Sequence, residues 1–196
     1  MEKAIRIIRD EHRSISAVLS GLKALAQMAR DSALRPDFGV FRAMVYYIDA
    51  FPERMHHPKE DEQLFARLLL RDPGSRALVE ELKAEHVQGL QLVRELERAL
   101  LTFEENWPGG APSFAAAVDS YADFHWMHMR KEELQLLPLA QKALLPEDWR
   151  AIEAAFAGNE DPIADLREQD FRQLYQRIVS LAPEPVGLGD RWKKAG

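Results

Sequence analysis

One short phrase occurs twice in this chain, and both copies carry residues that bind metal ions. The first reads His56-His57-Pro58-Lys59-Glu60-Asp61-Glu62-Gln63-Leu64-Phe65, the second His128-Met129-Arg130-Lys131-Glu132-Glu133-Leu134-Gln135-Leu136-Leu137. On a helix, residues four apart share a face, with Cβ atoms about 5–6 Å from one another. His56 with Glu60, and His128 with Glu132, therefore each aim an imidazole and a carboxylate at one place. A further histidine precedes each phrase at almost the same separation: His12 in Asp10-Glu11-His12 and His86 in Ala84-Glu85-His86. The chain reads as two similar halves, each a lone His followed by a His-x3-Glu pair. Without a cation, an inward carboxylate on a helical core costs several kcal/mol unless it is protonated or paired. Coordination converts that cost into binding energy. The metal-ligand candidates are His12, His56, Glu60, His86, His128 and Glu132.

The neighbouring residues divide around this set. His57 competes with His56, since Asp61 follows it by four. Only the His56 register lays Lys59-Glu60 over Lys131-Glu132, and His57 points about 100° away around an ideal helix. His57 is therefore read as a supporting or surface residue, and Asp61 and Glu133 as solvated helix acids. His125 and Glu53 each stand three residues before a phrase histidine. Both could reach the site or orient its ligands from behind. A ferritin-type carboxylate centre needs Glu-x-x-His on two helices. Only Glu53-Arg54-Met55-His56 fits it. The zincin His-Glu-x-x-His motif, Walker A and dinucleotide glycine patterns are absent from the sequence.

Apolar spacings of three and four supply the elements that must hold these residues. Ile5, Ile8, Ile15, Val18, Leu19, Leu22 and Leu25 predict a helix over 3–31. Phe41, Met44, Val45 and Ile48 open a second helix over 38–70, with Pro52 and Pro58 placed to kink it beside the first phrase. A third covers 75–105 and a fourth 113–144, parted by Trp107-Pro108-Gly109-Gly110. No alternating β-branched runs call for strands. The fold class is all-α: an antiparallel, up-down-up-down four-helix bundle with additional C-terminal helices. Residues 147–156 form a capping helix, which places the bundle and its cap in 1–158. Residues 159–196 hold a further amphipathic stretch over 162–181 and a Pro/Gly-rich tail, expected to pack on the bundle.

The whole-chain numbers narrow the function. A net charge of −6, from 26 basic and 32 acidic residues, argues against nucleic acid and against an anionic membrane surface. No stretch approaches the ~20 apolar residues of a membrane span. The absence of cysteine removes thiolate ligands, disulfides and Cys nucleophiles, and fits a cytoplasmic protein. Oligomeric state leaves no mark in the sequence.

His12, the His56–Asp61 run, Glu85-His86 and the His128–Glu133 run occur in the order found in hemerythrin-like, or HHE cation-binding, domain proteins, which the first 145 or so residues resemble. The resemblance implies a non-haem di-iron centre with an oxo or hydroxo bridge. Glu60 and Glu132 would bridge, and His12, His56, His86 and His128 would be terminal ligands. Oxygen-carrying hemerythrins place an extra His on the third helix, where this chain has Leu90. Imidazole and carboxylate donors suit iron, and zinc or manganese also. Two readings stay open: a binding or sensing protein for a small ligand such as O2 or NO, or an enzyme-like protein handling NO or peroxide or repairing iron–sulfur centres. No base or substrate pocket beyond the metal ligands points to a specific catalyst.

Overall fold

A computed structural model describes residues 1–32 and 34–157. Within them the chain is helical, with no strand. The amphipathic stretch over 162–181 and the tail fall outside the described residues.

The expected helices are present at close to their expected bounds. Helix α1 spans Glu2–Asp31, and its buried stripe runs from Ala4 through Ile8 and Ile15 to Ala29. The break at Pro36 ends at Asp37, whose side chain accepts from Gly39 N–H over 2.8 Å and starts the next helix. That helix runs on to Arg71, as α2 (Phe38–Ile48), α3 (His57–Lys59) and α4 (Ala66–Arg71), with π-helical stretches at Asp49–His56 and Glu60–Phe65. Asp72 accepts from Gly74 N–H and turns the chain into α5, Arg76–Glu105. Helix α6 spans Ala111–Lys131 and continues through a π stretch, Glu132–Leu136, into α7, Leu137–Ala143. Helix α8, Pro146–Ala157, follows.

The expected kink at the prolines takes a specific form. Pro52 has no N–H to offer the carbonyl four residues back, and the ladder there shifts to the wider register in which His57 N–H donates to Pro52 O. The same register returns at Leu137 N–H to Glu132 O, just before Pro138. Among the described residues the three π stretches lie within or directly before the two phrases, and such stretches concentrate at functional sites.

Helix α1 lies against both α2 and α6, and α5 also lies against both α2 and α6, so the long helices form a bundle. Its interior is divided in two. One apolar cluster gathers Ile15, Leu22, Phe41, Phe103 and Phe114. The other gathers Ile8, Leu64, Phe65, Leu82, Leu136 and, from α8, Trp149, Ile152 and Phe156. Each histidine-bearing helix contributes to both clusters, and the buried His and Glu residues stand between them. Helix α8 is tied to the end of α4 by Arg71, whose guanidinium donates to both carboxylate oxygens of Asp148, at 2.8 and 3.3 Å.

Candidate metal centre

The structure brings the six candidate ligands together. His12, His56, Glu60, His86, His128 and Glu132 are all at most 5% exposed. His12 Nε2 and His56 Nε2 stand 3.1 Å apart, as do His86 Nε2 and His128 Nε2. The carboxylates span both imidazole pairs. Glu60 Oε1 lies 3.4 Å from His56 Nε2, and Glu60 Oε2 lies 3.6 Å from His86 Nε2. Glu132 Oε2 lies 3.4 Å from His12 Nε2, and Glu132 Oε1 lies 3.3 Å from His128 Nε2. Bonds of about 2.0–2.2 Å to one ion hold neighbouring donors roughly 3.0–3.5 Å apart. The donors therefore divide into two overlapping groups, His12–His56–Glu60–Glu132 and His86–His128–Glu60–Glu132, that share both carboxylates.

All four carboxylate oxygens of Glu60 and Glu132 are buried without a hydrogen-bond partner. Groups of this kind are costly to bury unless a cation or proton answers them. In the metal-free chain burial and the charge of Glu132 push the Glu60 carboxyl well above its usual range. Burial acts on Glu132 too, but the charge of His128 and the imidazoles of His12, His128 and His86, 3.3 to 3.8 Å away, bring it well below. Burial and mutual charge thus push the two carboxyls in opposite directions.

Behind each of these histidines stands an acid. Glu133 faces His12 Nδ1 at 2.9 Å and Glu11 faces His56 Nδ1 at 2.7 Å. Asp61 faces His86 Nδ1 at 3.1 Å and Glu85 faces His128 Nδ1 at 2.9 Å. A carboxylate there accepts the Nδ1–H and leaves Nε2 as the inward lone pair, the arrangement metal-bound imidazoles require. This corrects the reading of Asp61 and Glu133 as solvated acids. The signal was in the sequence: an acid adjoins His12, His86, Glu60 and Glu132 alike. Its meaning depends on helix contacts that the sequence does not display.

Glu53, His57 and His125 also come together, beside the donor groups. The Glu53 carboxylate accepts from Tyr121 O–H at 2.7 Å, His125 Nε2–H at 3.0 Å and His57 Nδ1–H at 3.2 Å. Burial alone would raise the Glu53 pKa, but the bonds from His125 and His57 hold it far below the usual carboxylate range. His57 is buried, which selects the supporting alternative over the surface one, and it follows directly on a π-helical stretch. Tyr121 completes this cluster. Leu90 is 41% exposed and stands apart from the donors. A cleft of about 690 Å³ between α1 and α6, lined by Ser16, Trp126, Met129 and Glu133 among others, reaches down to His12.

A buried donor set of imidazoles and shared carboxylates in a helical bundle defines a cation-binding domain. The family model of the hemerythrin HHE cation-binding domain matches residues 3–140, and the chain belongs to that family. No curated protein gives a significant match. No helix among the described residues is long and apolar enough to cross a membrane.

Proposed function

We propose that this protein is a non-haem di-iron protein that binds or senses a small diatomic ligand such as O2 or NO, on an up-down-up-down four-helix bundle. The observation that carries the reading is the pair of shared carboxylates, whose four buried oxygens have no hydrogen-bond partner. Each faces an imidazole Nε2 on both sides of the centre. His12 and His56 would hold one ion, His86 and His128 the other, with Glu60 and Glu132 common to both. Two imidazoles and two carboxylate oxygens would hold each ion, and iron bound there would supply reversible one-electron change.

The remaining work falls to the chain. Glu11, Asp61, Glu85 and Glu133 fix the ring orientation and tautomer of the four histidines. The two apolar clusters exclude water from both ends of the centre. The cleft beside His12 gives small molecules a path inward.

The test is metal analysis of the purified protein with absorption spectra of its reduced, oxygenated, nitric oxide-treated and azide-treated forms. Two irons per chain and ligand-dependent bands are expected. Zinc or manganese at two per chain, with no spectral response, would replace the diatomic-ligand reading by plain cation binding. Sustained peroxide or nitric oxide consumption would replace it by an enzyme.

A further inference from the structure

The donor set has the two-fold character of the repeat, but its surroundings do not. His12 corresponds to His86, His56 to His128 and Glu60 to Glu132. Three other correspondences fail. Ile15, three residues after His12, matches Gly89, three residues after His86. His57 matches Met129, and Phe65 matches Leu137.

These differences act together on one histidine. A Cβ at Gly89 would lie 2.9 Å from Glu53 Oε1, so the glycine leaves room for the Glu53 carboxylate, where the other half has the buried side chain of Ile15. Glu53 in turn binds His57 Nδ1. The His57 ring then lies flat on His86, with centroids 4.2 Å apart and planes 9° apart. Phe65 also stacks on His86, at 5.5 Å and 16°, so two near-parallel rings pack against it. Its counterpart His12 has Met129 and Leu137 at the matching positions, and it lines the open cleft.

His57 also falls within reach of His86 and His128 as a donor. An imidazole lone pair lies in the ring plane, however, and no ion can lie in the planes of two rings stacked face to face. The stacking therefore excludes His57 and His86 as joint ligands of one ion in this arrangement.

We infer that His57, held by Glu53 in the space left by Gly89, is a positioning residue for His86, and that it makes the two metal positions unequal: the ion at His86 and His128 binds more tightly and fills first. A ligand already held in its binding orientation loses less freedom when the ion arrives. The inference rests on the reading that the centre takes two ions.

The experiment is stepwise titration of metal-free full-length protein with Zn²⁺, a redox-silent probe, by calorimetry. Imidazole NMR signals are followed in parallel. In the unmodified chain the His86 and His128 signals should shift with the first equivalent and those of His12 and His56 with the second. His57→Ala should weaken the tighter equivalent about tenfold or more and leave the weaker one in place. His57→Phe keeps a flat ring over His86 and should recover most of that loss. Equal affinities, or His12 responding first, overturns the inference in the unmodified chain, whatever the variants do. His57→Phe as damaging as His57→Ala would make His57 a ligand and also overturn it. A chain that takes up no Zn²⁺ and no iron would defeat the two-ion reading itself, a distinct outcome.

Discussion

Glu53 and His125 hold the same place in the two halves of the repeat, three residues before His56 and His128, and in the folded chain they bond to each other. His125 Nε2–H donates to Glu53 Oε1 over 3.0 Å, and both residues are buried. Two positions equivalent by repeat thus meet where the halves face each other, and their chemistry has diverged into acceptor and donor. Glu53 depends on this bond, because its carboxylate is buried and its other partners are Tyr121 and His57.

His125→Ala should therefore keep both ions while costing stability. It removes one of three donors to a buried carboxylate, a change worth about 1–3 kcal/mol. Urea unfolding alongside metal analysis checks both parts. Loss of one ion per chain would make His125 a ligand.

The acids behind the histidines predict a graded mutational series. His56→Ala and Glu60→Ala remove inward donors and should lose most of the bound metal. Asp61→Ala and Glu85→Ala remove only the partner of an Nδ1 and should lower metal affinity about 10–100-fold. Equilibrium competition with a chelator measures the difference. Should Asp61→Ala bind as tightly as the unmodified protein, its 3.1 Å approach to His86 has no bearing on coordination.

Much of this donor cluster was legible in the sequence because its residues obey a local rule. His56 with Glu60 and His128 with Glu132 are helical neighbours, and a repeat within the chain favoured His56 over His57. The boundary between the third and fourth long helices followed from Trp107–Gly110 for the same reason. What stayed hidden depends on contacts between helices. Asp61 and Glu133 look like surface acids until His86 and His12 are brought across from neighbouring helices. An ideal helix leaves His57 either supporting or at the surface, and the choice depends on the π register that follows Asp49, which the sequence does not display.

The coupling of metal to stability should grow with pH over a defined window. Burial alone would depress the pKa of His12 and His128. The nearby carboxylates of Glu132 and Glu133 outweigh it at His12, and those of Glu132 and Glu85 at His128, raising each from 6.5 to about 9. Both rings thus hold their protons more tightly folded than unfolded. The stability this confers on the metal-free chain is complete below pH 6.5 and is lost as pH rises through about 9. A cation replaces those protons, and ligand binding at a thousandfold excess over Kd adds about 4 kcal/mol to the folded state. The gap in Tm between metal-loaded and metal-free protein should therefore widen across this window, with proton release on binding. Calorimetry in buffers of differing ionisation enthalpy measures the release. A gap that stays constant across the window would mean that these histidines do not carry the cation.

Gly89→Ala should destabilise this protein, against the usual trend for helices. Glycine inside a helix costs about 1 kcal/mol relative to alanine, and the exchange normally recovers it. Here the new methyl group would stand 2.9 Å from Glu53 Oε1, closer than Cβ atoms tolerate, and a tight 3.1 Å from Oε2. The carboxylate is held by Tyr121, His125 and His57 and has little freedom to retreat. Overpacking of this kind costs about 1–3 kcal/mol, enough to outweigh the gain in helix propensity. The clash exists only while Glu53 is present. In a Glu53→Ala background the added penalty of Gly89→Ala should fall away, so the double variant is less destabilised than the sum of the single ones. Thermal and urea unfolding of the four proteins gives this coupling directly. Strict additivity would show that Gly89 and Glu53 do not meet as the structure has them.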